Sequence, residues 1–146
     1  MFEKHPVAAA AVCLVIGIII GMAIHPGAGY AQADKRVYEL RTYTTPPGKL
    51  DALNARFRNH TVRLFEKHGM TNIGYWTPQD APLADNTLIY LLAHKDREAA
   101  KQSWDAFRKD PDWIKARTDS ETQAGGSLTT KVESVFLNAT DYSKLK

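Results

Sequence analysis

Asn86-Thr87-Leu88-Ile89-Tyr90-Leu91-Leu92-Ala93-His94 is the stretch on which the fold turns. From Leu88 to Leu92 every side chain is apolar or aromatic, whereas a strand with one wet face alternates apolar with polar residues. A run of this length bounded by polar residues reads as a central strand covered on both faces. Two covers must therefore be found for it.

Upstream, Thr71 to Thr77 (TNIGYWT) reads as a strand closed by Pro78 and by a loop containing Pro82. Before it, Lys49 to His68 places Leu50, Leu53, Phe57 and Leu64 at helical spacing, with Asp51 near the start, Lys67 and His68 in the last turn, and Gly69 as the stop. Arg36 to Tyr43 is β-rich and alternating, and ends at Thr44-Thr45-Pro46-Pro47-Gly48, whose prolines cannot extend a ladder. Downstream, Asp96 caps a helix through Lys109 with Ala100, Trp104 and Phe107 as its stripe. Asp110-Pro111 then restarts a helix that runs towards Gln123 and ends at Gly125-Gly126. Leu128 to Asn138 is a fourth strand, and the tail is polar.

The order β-α-β-β-α-β predicts an α+β, ferredoxin-like domain: a four-stranded antiparallel sheet with the helices on one face. That arrangement provides only one of the two covers. The simplest second cover is another copy of the chain, sheet against sheet, which predicts a homodimer, a dimeric α/β barrel enclosing a cavity.

The length of 146 residues suits one domain, and 44% hydrophobic with 24% charged residues is ordinary for a folded chain. A net charge of +3 without basic clusters excludes a nucleic-acid footprint. Pro6 to Ile24 carries no charge, follows Lys4, and is succeeded by a polar stretch ending in Ala31-Gln32-Ala33, the small-x-small pattern of a signal-peptide cleavage site. Residues 1–33 are thus expected to be a signal peptide, with residues 34–146 as an exported domain, periplasmic or secreted. If the segment stays uncleaved it is a membrane anchor. Cleavage leaves 113 residues and removes Cys13, the single cysteine, which excludes thiolate chemistry from the mature domain.

Val37-Tyr38-Glu39-Leu40-Arg41-Thr42-Tyr43, then Pro47-Gly48-Lys49-Leu50-Asp51, Glu66-Lys67-His68-Gly69, Gly74-Tyr75-Trp76 and Asp110-Pro111-Asp112-Trp113, resemble the NIPSNAP family of the dimeric α/β-barrel group. The resemblance implies a ferredoxin-like subunit and a dimeric barrel, in agreement with the pattern. The fold is shared with cofactor-free monooxygenases, haem-degrading enzymes and small isomerases, and does not by itself transfer chemistry. Many members carry a histidine, then a tryptophan two residues later, where the third strand here has Tyr90 and Leu92.

Several side chains are candidates for chemistry. His60 falls on the stripe Leu53, Phe57, His60, Leu64, His68, which would turn it towards the sheet or the helix-side rim of the cavity, as a general base or haem ligand or as a bonded core imidazole. Tyr90 can donate a hydrogen bond in the central strand. Glu39, Arg41 and Tyr43 share one face of the first strand. If that face lies opposite the helices, they enter the dimer cavity and bind an anionic or hydroxylated ligand; otherwise they form a buried or interfacial Arg–Glu pair, with Glu133 as another partner. Trp76, Tyr75 and Tyr90 offer an aromatic wall, and His94 lines the cavity mouth or is exposed. Trp104, Phe107 and Trp113 sit at helical spacing as packing residues. No metal-ligand spacing is present, and no cofactor is expected. The leading expectation is an exported homodimer that binds a small, partly apolar molecule in its cavity, as a cofactor-free oxygenase or isomerase. The alternatives are a non-catalytic dimeric binding scaffold and a haem-binding protein.

Overall fold

The computed structural model describes residues 36–145. The expected signal peptide and its cleavage site lie outside the described residues. Strands β1 (Val37–Thr44), β2 (Thr71–Trp76), β3 (Thr87–His94) and β4 (Lys131–Leu137) form one antiparallel sheet in the order β2-β3-β1-β4. The continuous apolar run is therefore in an inner strand, as its pattern requires. Helix α1 (Leu50–Arg56) passes through a π-helical turn, Phe57–Thr61, into α2 (Val62–Lys67), and α3 (Arg97–Lys109) and α4 (Pro111–Gln123) follow β3. The domain is α+β and ferredoxin-like.

The helix boundaries follow from local chemistry. Asp96 accepts a hydrogen bond from the Ala99 amide at the start of α3, and Asp110 accepts one from the Asp112 amide at the start of α4, with Pro111 in the first turn. Gly69, at a φ of 75°, takes the left-handed conformation that ends α2.

The register assigns every side chain to a face. Arg41 pairs with Tyr90 of β3 and Ser134 of β4, and Glu39 pairs with Leu92 and Phe136. Tyr43 packs edge-on against Phe57, and Glu39 bonds to Trp104 of α3. Glu39, Arg41 and Tyr43 thus look towards the helices, so the condition for their entering a cavity on the opposite face is not met, and Glu39 and Arg41 form a buried pair instead. With Leu53, Phe57, Leu64, Phe65, Leu88, Tyr90, Leu92, Trp104 and Phe107 they fill the space between sheet and helices.

The other face carries Tyr38, Leu40 and Thr42 from β1, Ile89, Leu91 and Ala93 from β3, Trp76 from β2, and Val135 and Leu137 from β4. No helix covers it. The C-terminal tail folds back over one end, where Asn138, Thr140 and Leu145 join Tyr38, Leu91 and Leu137 around a cleft of about 230 Å³. Trp76, Val135 and Leu137 remain exposed.

The π-helical turn corrects the placement of His60. In an uninterrupted α-helix each four-residue step drifts by about 40°, so a chain of such steps leaves the core face. The turn of five residues winds less per residue and resets that drift. The buried series becomes Leu53, Phe57, Thr61 and Phe65, and His60 points outward, exposed. The Thr61 hydroxyl donates to the Arg56 carbonyl at 3.3 Å within the same turn.

Candidate functional site: a carboxylate-centred cluster

Glu39 is 1% exposed, and its carboxylate is the centre of a polar cluster between the sheet and α3. Oε1 accepts from Arg41 Nη1 and from Ser134 Oγ, both at 2.6 Å. Oε2 accepts from Trp104 Nε1 at 2.7 Å and from His94 Nε2 at 2.9 Å. An ionised carboxylate only accepts, so the proton of the His94 ring facing it must sit on Nε2. Burial alone would push the Glu39 carboxyl up, but the bonds from His94, Ser134 and Trp104 and the charge of Arg41 outweigh it, and its pKa falls to about 2. With four donors and this acidity, Glu39 is no base at neutral pH. It organises its neighbours.

Arg41 lies across Trp104, its guanidinium carbon 4.2 Å from the ring centroid, and its Nη2 donates to the Tyr43 hydroxyl at 3.5 Å. Burial disfavours its charge, yet the electrostatics of Tyr90, Tyr43 and Glu39 shift its pKa upward, so it stays a cation. Its Nε is buried without a hydrogen-bond partner.

Tyr90 is fully buried among Tyr43, Phe57, Phe65 and Tyr75, with ring centroids 5.2 to 5.9 Å away. Among the described residues its hydroxyl makes no hydrogen bond of good geometry, with the Tyr43 hydroxyl only a weak partner, and burial drives its pKa well up, so it is a neutral phenol. Tyr75 is stacked on it, and its hydroxyl donates to Asn72, whose amide in turn donates to the Val62 carbonyl and the Glu66 carboxylate.

Of the residues singled out in the sequence, Glu39, Arg41, Tyr43, Tyr90 and His94 are therefore gathered on the helix side of the sheet. His94 is neither exposed nor at a cavity mouth: it is 2% exposed, because the β1–β3 register pairs it with Val37, on the same face as Glu39 two residues on, within reach of that carboxylate. Trp76 is on the opposite face, its ring lying over Gly74, where a Cβ would come within 2.5 Å of it. Glu133 also points to that opposite face and pairs with Lys131 at 2.8 Å, so the partner of Glu39 on β4 is its neighbour Ser134. His60 belongs to neither group.

Trp104 and Ser134 are the residues that sequence reading misses as polar partners. Trp104 is legible as a packing residue, but the destination of its indole N–H is not, because it depends on how α3 crosses β1. His68 is likewise tertiary in its role: its Nε2 lies 2.7 Å from Asp110 Oδ2, and Lys67 Nζ lies 2.8 Å from the same oxygen. Arg56 also escapes a sequence reading, although it stands at i+3 from Leu53 within the apolar stripe, where the arginine is 4% exposed.

This architecture matches known proteins. A NIPSNAP family protein from Agrobacterium tumefaciens has a TM-score of 0.67 at 18% identity, over 78% of this chain and 96% of its own. A NIPSNAP-like domain protein from Burkholderia xenovorans has a TM-score of 0.65 at 17% identity, over 75% and 90%. SnoaB, a cofactor-independent oxygenase from Streptomyces nogalater, has a TM-score of 0.50 at 13% identity, over 73% and 95%. No curated protein matches the sequence. The NIPSNAP family model matches residues 38–144, from the strand that carries Glu39 and Arg41 to the tail that folds back over the sheet, and the chain belongs to that family.

Proposed function

We propose that the protein works as an exported homodimeric binding module, joined through the sheet face that no helix of the described residues covers. The observation that carries this reading is the composition of that face. Leu40, Leu91, Ile89, Trp76, Val135 and Leu137 make it apolar, and its charged side chains are Lys131 and Glu133, which pair with each other. A two-fold contact sets a patch against itself, so a patch with net charge repels itself. This one is neutral. Leaving such a surface in water costs about 25 cal/mol per Å², which pairing removes.

The interior supports binding or scaffolding over catalysis. Of the two side chains expected to do chemistry, Tyr90 is sealed among aromatic rings and His60 is exposed on the helix surface, apart from the buried cluster, where Glu39 already has four donors. The activity named for SnoaB belongs to that protein.

Export rests on the uncharged Pro6 to Ile24 stretch and on Ala31-Gln32-Ala33. Among the described residues no helix is long and apolar enough to cross a membrane. N-terminal sequencing of protein from its own host should begin at Asp34, and a start at Met1 contradicts cleavage.

Light scattering on the full chain tests the assembly. A dimer at micromolar concentration is expected, and Val135→Glu should give monomer. Ile114→Glu, an equally exposed position on α4, should leave the dimer intact. Monomeric wild-type protein overturns the proposal.

A further inference from the structure

On the sheet face opposite the helices, the C-terminal tail makes a turn of its own. The Ser143 amide donates to the Thr140 carbonyl at 3.0 Å, and the Leu145 amide donates to Ser143 Oγ at 3.2 Å. The turn brings Leu145 to the cleft floored by Tyr38, Leu91 and Leu137. At about 230 Å³ that cleft is smaller than the roughly 300 Å³ from which small-molecule sites begin.

Tyr38 supplies the floor with a polar group that has nothing to bond. The residue is 5% exposed, yet among the described residues its hydroxyl makes no hydrogen bond. A buried tyrosine ring ordinarily finds a partner for its O–H. Tyr90 is shut in among aromatic rings, whereas Tyr38 lines an opening that a ligand can enter. The Asn138 amide and the Thr140 hydroxyl, in the cleft wall, also make no hydrogen bond among the described residues. The described lining carries no charge: Asp141 and Lys144 belong to the tail but not to the cleft.

We propose that this cleft is half of a binding site for a neutral, largely apolar molecule with one hydroxyl, of the size of a simple phenol, and that a second copy of the chain completes it. A hydroxyl both donates and accepts, so it can bond Tyr38 together with Asn138 or Thr140, while Leu91, Leu137 and Leu145 receive the apolar body. A carboxylate or an ammonium group would leave water here without a counter-charge, which selects against ions. Tyr38, Leu91 and Leu137 belong to the uncovered face, so the cleft opens towards the partner. The shared site therefore rests on the dimer proposed through that face. A ligand held by both copies binds the dimer better than the monomer and stabilises the assembly by mass action.

Saturation-transfer NMR on the full chain tests it, with light scattering on the same samples. p-Cresol should bind saturably to the dimer with a Kd on the order of 1 mM, and p-toluate, its carboxylate counterpart, at least about tenfold more weakly. Tyr38→Phe keeps the ring and should weaken p-cresol about three- to tenfold, the effect of one hydrogen bond. Ala139→Phe, at an exposed position in the cleft wall, should weaken it similarly by filling the space. The monomeric Val135→Glu variant, whose substitution lies outside the cleft lining, should also bind it more weakly. A dimer that does not bind p-cresol, or binds p-toluate as tightly, overturns the shared site and leaves the dimer standing. Undiminished p-cresol binding in any of the three folded variants does the same. Wild-type protein that scatters as a monomer overturns both.

Discussion

Trp104 and Glu39 are 65 residues apart in the chain, and the indole Nε1 of one donates to the carboxylate Oε2 of the other at 2.7 Å. The bond ties α3 to β1, and the same ring carries the Arg41 guanidinium on its face. One side chain thereby holds both members of a buried ion pair, the anion through its N–H and the cation through its π-system.

Trp104→Phe separates these functions. The variant keeps an aromatic ring for Arg41 and for Phe65 and Phe107, but removes one donor from a buried carboxylate. A loss of about 1–3 kcal/mol in urea-unfolding stability is expected. A loss below about 0.5 kcal/mol would show that the bond is dispensable.

Glu39 should govern the acid limb of stability. Its folded pKa, about 2, is below the ordinary 4.5, so the folded state binds its proton less readily than the unfolded chain. The stabilisation is fully present above pH 4.5 and is lost as pH falls from there towards 2, and it amounts to about 3 kcal/mol. Glu39→Gln should lack this part of the pH dependence. At neutral pH it should also cost about 3–5 kcal/mol, because Arg41 is left without its partner. Unfolding curves from about pH 7 to pH 3 that stay parallel for the two proteins would contradict the assignment.

Tyr90→Phe should be neutral, or stabilise by up to about 1 kcal/mol, since it removes a buried hydroxyl that makes no hydrogen bond of good geometry, with Tyr43 only a weak partner, and keeps the ring stacked on Tyr75. A loss above about 1 kcal/mol in thermal or urea unfolding would mean that this hydroxyl is bonded in solution.

His60→Ala tests the π-helical turn. An exposed position off the core tolerates change within about 0.5 kcal/mol, whereas a core imidazole does not. Thr61→Arg, at the adjacent buried position, should destabilise the domain by more than about 2 kcal/mol. The reverse order of these two effects would restore His60 to the core face.

Much of the fold is legible in the residues themselves. The unbroken apolar run Leu88 to Leu92 places β3 inside the sheet, Asp96 and Asp110-Pro111 locate two helix starts, and Gly69 marks a helix end, because these signals act through neighbours in the chain. The family resemblance is also legible, since it rests on local blocks of sequence. Two features are not. Alternation shows that Glu39, Arg41 and Tyr43 share a face, but which face the helices cover depends on how α1 and α3 cross the strands, which no local spacing records. The outward turn of His60 depends on a π-helical step that Leu53, Phe57 and Phe65 impose by packing, against the spacing of an ideal helix. Local chemistry determined the elements and their order; only the tertiary packing decided which polar groups meet, because each of those meetings joins segments brought together by the burial of others.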